Sequence, residues 1–397
     1  MRPGQLRPCS ASRYERVELD SHLRITTLGA ALLALLSATA WAVPRRRQEA
    51  LNRHSTFRYL ATHPEAALQP TAFGRTIQAL TVWDGKLYSG YGDYGANTGP
   101  IDLTPMNLTT GTFAASPVLT DQTEEVDRFR KINGHLFVPS IDPRGAVSTD
   151  YAEGSRAGNK VSWKQYGPSD NNTGVGMTHT FDVVTLTGTD LWLIGSQGYD
   201  AVVYRSLNSG ATWVKMLSVP PAATVPGDFA RFYFAGVLNH RLYVQAVNYY
   251  AGQDRRSYVF DGTSWSRGPD LLPDGFGYHS STFAGKLIYM QVGSIVALSG
   301  LMSFNGRRVT SSHAPVPFYD YAIGGRHLYG LAAAGAIYRT SDLRTWSKLA
   351  IVAPSSARSI TEYKGTIYVG TTYSKIYAAP LPKARSRLLP RRSSPLR

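Results

Sequence analysis

The stretch ALTVWDGKLYSG, residues 79–90, decides the fold. On either side of Asp84-Gly85 lie runs rich in β-branched, aromatic and other apolar residues. The dipeptide itself tolerates the positive φ that both central positions of a tight hairpin turn require. The stretch therefore reads as a strand, a two-residue turn and a second strand. The same arrangement recurs along the chain, with a Leu or Ile followed by a large, usually aromatic residue. It stands at Leu87-Tyr88, Leu136-Phe137, Leu191-Trp192, Leu242-Tyr243, Leu287-Ile288, Leu328-Tyr329 and Ile367-Tyr368, at spacings of 49, 55, 51, 45, 41 and 39 residues. Turn residues precede several copies, as in Asn133-Gly134, Ala284-Gly285 and Lys364-Gly365. Helical periodicity is absent beyond residue 70. Periods of about 40 to 50 residues, with about four strands each, define an all-β repeat in which one unit cannot bury its faces without its neighbours: a β-propeller. Seven copies predict seven blades, in preference to six or eight.

Two further features fit this frame. Residues 357–380 have room for only three strands, whereas residues 55–72 precede the first blade without a partner. Pairing them closes the ring and removes the exposed edges. In addition, Trp163, Trp213, Trp265 and Trp346 each follow Ser or Thr and open a late strand. Two of these segments, Ser206-Leu-Asn-Ser-Gly-Ala-Thr-Trp213 and Thr340-Ser-Asp-Leu-Arg-Thr-Trp346, resemble the Asp-box (BNR) repeat, Ser-x-Asp-x-Gly-x-Thr-Trp. The first has Asn208 at the acidic position; the second keeps Asp342 but is one residue shorter and lacks the Gly. The resemblance implies a superfamily of propellers that includes sialidases, other glycosidases and many proteins that only bind. The repeated box implies a turn-capping role for the Asp or Asn and inter-blade packing for the Trp, not catalysis. A sialidase would carry a Phe/Tyr-Arg-Ile-Pro motif and six blades, whereas this chain has Phe73-Gly-Arg75-Thr-Ile and seven copies.

The 397 residues carry 42 Lys+Arg against 27 Asp+Glu, a formal charge of +15. Residues 1–42, 43–58 and 381–397 account for +2, +4 and +6, which leaves +3 for residues 59–380. A nearly neutral body argues against a nucleic-acid groove, because counterion release needs many cations on one folded face. The tail 381–397, rich in Pro, Ser and Arg, reads as disordered; contact with an anionic surface is its functional alternative. The apolar run 25–38 follows Arg24 and precedes Ala40-Trp41-Ala42, the small-x-small pattern of a signal-peptide cleavage site. Residues 1–42 are thus expected to be a signal peptide cut after Ala42, with an uncleaved anchor as the alternative, and residues 43–54 a linker to a single propeller over 55–380. The mature protein is expected to be secreted or periplasmic and monomeric. It would lack cysteine, since Cys9 is the only one in the chain.

Ten residues before each aromatic landmark, at the start of each innermost strand, stand Gln78, Asp127, Asp182, Tyr233, Tyr278, Tyr319 and Arg358. All can form hydrogen bonds, and Arg128, His279 and Asp320 lie one position beyond. These ten residues are the candidate ligand site, at the end of the channel where the strand face turns polar; channel lining that binds only water is the alternative. The Gly-rich loop 91–100 and the insertion 140–160 should reach the same face. Asp127 and Asp182 are the candidate acid/base pair, with tyrosines to stack on sugar rings and Arg358 to hold a carboxylate. The chain has no GxSxG, HExxH, Walker loop or dinucleotide fingerprint, and its nine histidines are scattered. No cofactor and no metal are therefore expected. The expected function is binding of a glycan or an extracellular protein on the channel face, with glycoside hydrolysis or elimination by Asp127 and Asp182 as the alternative and a structural or adhesive role as a third.

Overall fold

The computed structural model describes residues 56–143, 149–167, 174–221, 226–248, 255–272, 276–292 and 298–382. The expected signal peptide and linker, and nearly all of the basic tail, lie outside the described residues. Seven four-stranded antiparallel sheets form a seven-bladed β-propeller. The innermost strands of blades 1 to 7 are Ala79–Trp83, Arg130–Ile132, His179–Val184, Ala230–Leu238, Phe276–Phe283, Phe318–Gly324 and Ala357–Tyr363. Every Leu/Ile landmark lies on the adjacent second strand, from Lys86–Gly90 in blade 1 to Thr366–Thr371 in blade 7.

The turns adopt the geometry that their residues favour. Asp84 and Gly85 have φ of 49° and 71°, and Asn133 and Gly134 have 49° and 82°. Two consecutive positive φ values match the right-handed twist of the flanking strands. Blade 4 makes its turn with Asn239 and His240, at 51° and 56°, without a glycine.

Blade 7 is closed by the N-terminal strand Arg58–Thr62, which pairs with Lys375–Pro380 in the register Arg58↔Ala378 to Thr62↔Lys375. The chain then crosses to blade 1, where the Ile77 N–H donates to the Thr371 carbonyl and the Ser359 hydroxyl to the Ile77 carbonyl. At the other end of the closing pair, the Leu381 N–H donates to Gly365 in the turn between the first and second strands of blade 7. Both chain ends thus leave the propeller on the face opposite the starts of the innermost strands.

The core lies between blades. Trp192, Ile194 and Val203 of blade 3 pack on Phe232, Leu242 and Val244 of blade 4. Phe234 and Tyr243 of blade 4 pack on Leu287 and Tyr289 of blade 5. Each such side chain contributes about 1.5–3 kcal/mol through removal from water. The late-strand tryptophans reach backward to the preceding blade. Trp163 meets Trp83 and Tyr88 of blade 1, Trp213 meets Tyr151 of blade 2, and Trp265 meets Trp192 of blade 3. The Trp346 indole N–H donates to Ser312 of blade 5. In the turns before Trp213 and Trp346, the Asn208 side-chain oxygen accepts the Thr212 N–H at 2.9 Å, and Asp342 accepts the Arg344 and Thr345 N–H groups at 2.8 Å each.

Blade 1 departs from the regular pattern. Its outer strands, Met106–Asn107 and Thr112–Phe113, are two residues each, and Ile101–Leu103 pairs separately with Leu119–Asp121. The expected insertion over 140–160 is shorter than the sequence suggests, because the third strand of blade 2 occupies Tyr151–Ala157.

Candidate functional site

The innermost strands all run the same way, so their starts form one face, here called the mouth. Near that end blades 3 to 7 each carry a β-bulge. An extra residue on one strand breaks the ladder and re-aims its side chain. The extra residue is Tyr233 in blade 4, Tyr319 in blade 6 and Arg358 in blade 7. In blade 3 it is Phe181, one position before Asp182, because the following turn is one residue longer. In blade 5, His279 and Ser280 oppose Tyr289, and the His279 φ is 47°. Tyr278 pairs with Met290 through its backbone; its side chain lies outside the described residues.

Below the mouth lies a layer of compensated charge. Arg128 grips Asp127 with Nε at 3.0 Å and Nη2 at 3.1 Å, and its Nη1 lies 3.5 Å from Asp182. Arg130 grips Asp182 with Nε at 2.7 Å and Nη2 at 2.6 Å. It also crosses the channel to Ser280 of blade 5. Asp127 and Asp182 are both buried, and Asp182 accepts the Val183 N–H as well. One guanidinium therefore contacts both members of the expected acid/base pair. Their oxygens serve as acceptors in a charge-balanced wall, a poor arrangement for donating a proton to a leaving group or activating water. Burial, and next the nearby Asp127 charge, push the Glu125 carboxyl well above the usual range.

The remaining inner candidates surround a channel cavity of ≈ 280 Å³. Gln78 donates to the Gly92 carbonyl at 2.6 Å. His279 Nδ1 lies 2.7 Å from Asp320, whose carboxylate also accepts the Tyr321 and Ile360 N–H groups. The imidazole stacks on Tyr321 at 4.3 Å, and the Tyr321 hydroxyl donates to the His279 carbonyl. Among the described residues no group of three or more His, Cys, Asp or Glu side chains is placed to hold a metal ion.

The mouth itself is aromatic. Arg358 lies over the Tyr319 ring at 4.1 Å, and both line an open groove of ≈ 590 Å³ with Phe73, Leu298 and Tyr373. Across the channel Tyr233 packs on Phe181 at 4.4 Å, while Arg231 lies over Phe229 at 4.2 Å and 2.7 Å from His179 Nε2. Burial, reinforced by Arg231, lowers the His179 pKa to about 3. The imidazole is therefore neutral: its Nδ1 donates to the Ile141 carbonyl at 2.8 Å and its Nε2 accepts from Arg231. Loops joining second to third strands add Tyr94, Tyr199 and Tyr373, exposed by 39%, 65% and 67%.

Sequence reasoning thus found Tyr233, Tyr319 and Arg358 at the mouth and Gln78, Asp127, Arg128, His279 and Asp320 in the channel. It missed Arg130, Arg231, Phe73, Tyr199 and Tyr373. Arg130 carried a signal, since it shares the face of Arg128 two residues earlier in an extended segment. Tyr199 and Tyr373 stand in hairpins that no landmark counted.

No known family's sequence profile matches the chain, and no curated protein matches it. Its structure is similar to virginiamycin B lyase from Staphylococcus aureus, with 12% identity over 79% of this chain and 97% of that one, at a TM-score of 0.50. It is also similar to YCF48 from Cyanidioschyzon merolae (11% identity, 82% and 98% covered, TM-score 0.44) and to BamB from Moraxella catarrhalis (13% identity, 77% and 85% covered, TM-score 0.41). At these identities the likeness concerns the fold alone.

Proposed function

We propose that the chain is a secreted propeller that binds a glycan at the channel mouth. The observation that carries this reading is the groove of ≈ 590 Å³ in which the bulged Tyr319 and Arg358 meet Phe73 and Tyr373. Phe73 and Tyr319 are half-buried and Tyr373 is exposed, together a contiguous apolar patch of the kind that marks a binding site, and a tyrosine presents a flat apolar face with a polar tip. That combination suits a sugar, which is apolar on its C–H faces and polar at its rim. The export segment 1–42 supports an extracellular setting, where glycans are abundant. The Asp-box resemblance is supported by the capped turns of Asn208 and Asp342, and we assign those turns to scaffolding. On a glycan array, Tyr373→Ala and Phe73→Ala should each lower retention about tenfold or more with little change in melting temperature. Undiminished retention in both variants would reject the groove as the site. Mass spectrometry of exported material should find Val43 first.

A further inference from the structure

We infer that the ligand of the mouth is an acidic, linear oligosaccharide, held by two arginine–aromatic stations on opposite sides of the channel. This rests on the glycan reading above and names its chemical class.

The four arginines around the channel divide into two kinds. Arg128 and Arg130 lie deep and are neutralised by Asp127 and Asp182. Arg231 and Arg358 lie at the mouth, and among the described residues neither has a carboxylate within ion-pair distance. Arg358 donates to the Ser355 and Ala357 carbonyls at 3.2 and 2.8 Å while covering Tyr319. Arg231 is positioned by the neutral His179 and by the Phe229 ring. The groups that touch the two guanidinium groups are uncharged and fix their direction without an ion pair, although Asp142, 3.4 Å from His179 Nδ1, acts on Arg231 from behind that ring. A guanidinium offers a planar fork that fits a carboxylate with two parallel hydrogen bonds. The rings under the two guanidinium groups are already covered, and the further aromatics beside each fork, Phe73 and Tyr373 near Arg358 and Tyr233 near Arg231, suit a pyranose ring carrying that carboxylate, the pattern of a uronic acid.

The pairing of stations argues for a chain of such sugars. Arg231 belongs to blade 4, against blade 3; Arg358 belongs to blade 7, against blade 6. Blade 5 separates them on one side of the ring and blades 1 and 2 on the other. A single sugar occupies one station, whereas a chain across the mouth occupies both and gains from effective concentration. Tyr199 extends the first station, since its carbonyl accepts the N–H of Ala230 beside Arg231. Tyr373 extends the second.

The experiment is calorimetric titration of the full chain with oligogalacturonates of increasing length and with their carboxyl-reduced neutral counterparts. Affinity should rise about tenfold or more from the dimer to the length that reaches both stations. Arg231→Gln and Arg358→Gln should each return the long oligomer to dimer-like affinity. The length dependence is read on the unaltered chain, so it holds whatever the variants do to folding. Equal binding of the reduced oligomers overturns the acidic class but leaves the glycan reading standing. Binding of neither kind of oligomer overturns the acidic-oligosaccharide inference, and the glycan array then decides the glycan reading. Equally tight binding of poly-glutamate through the same arginines overturns the saccharide in favour of an acidic peptide.

Discussion

Arg130 of blade 2 spans the central channel to Ser280 of blade 5, donating to its carbonyl at 2.6 Å and to its hydroxyl at 2.9 Å. The same guanidinium holds Asp182 of blade 3, so one side chain ties three blades together. Ser280 in turn donates to Ala235 of blade 4. The channel is thereby braced below the mouth.

Removing this brace leaves the buried Asp182 short of its principal partner. Arg130→Met should cost about 3–5 kcal/mol, seen as a lower melting temperature, because an uncompensated buried charge is expensive. Adding Asp182→Leu should restore much of the loss. A double variant no more stable than the single one would show that the ion pair itself, not its imbalance, holds the ring.

Asp121 supplies a pH dependence of known sign. It is fully buried and accepts from Gln165 at 3.0 Å, and burial raises its pKa to about 7. Between its ordinary value near 4 and about 7 the folded chain holds a proton there that the unfolded chain has released, so this group's contribution to stability falls as pH rises across that window. Asp121→Asn should therefore melt higher than the parent at pH 8, with the gap narrowing toward pH 5. His63 and His179, both lowered to about 3, destabilise the fold in acid and affect parent and variant alike. A gap that does not change with pH would count against a protonated Asp121.

The turn of blade 5 carries an avoidable strain. Ala284 sits at φ 49° where blade 2 has Asn133 at the same angle. Asparagine tolerates the left-handed region and alanine does not. Ala284→Asn should stabilise by about 0.5–1 kcal/mol and Asn133→Ala should destabilise by a similar amount, both measurable by denaturant titration.

The closing strand is expected to be indispensable. A chain beginning at His63 exposes the edge of Lys375–Pro380, which now pairs with Arg58–Thr62. It should melt lower and self-associate on size exclusion, since an open edge pairs with another chain. A monomeric chain with the parent's melting temperature would make the strand an ornament.

Much of this architecture was legible because its signals are local. Asp84-Gly85 specifies a turn by itself, and a Leu or Ile beside a large residue, shortly after such a turn, marks the buried second strand; the same dipeptide at Ile337-Tyr338 and Ile376-Tyr377 lies on third strands and falls outside the repeat spacing. Counting ten residues back reached Tyr233, Tyr319 and Arg358 because those blades share one turn length and one bulge position. It landed one residue past the bulge in blade 3, where Thr185–Asp190 form a longer turn closed on the Asp190 carboxylate. The salt-bridged wall of Asp127 and Asp182 was not legible, since it depends on which neighbours the closed ring supplies. Nor was the bridge from Arg130 to Ser280, 150 residues apart in sequence. Arg231 escaped notice because its direction is set by His179 of the preceding blade.

Closure by the N-terminal strand also sets a polarity for the whole molecule. The chain arrives at Arg58 and departs after Pro380, side by side, on the face opposite the tyrosine-rich mouth. The two basic stretches of the sequence, 43–58 and 381–397, join the propeller at that same face. Any group grafted at Arg58 or Leu381 therefore meets the propeller at the pole away from the starts of the innermost strands.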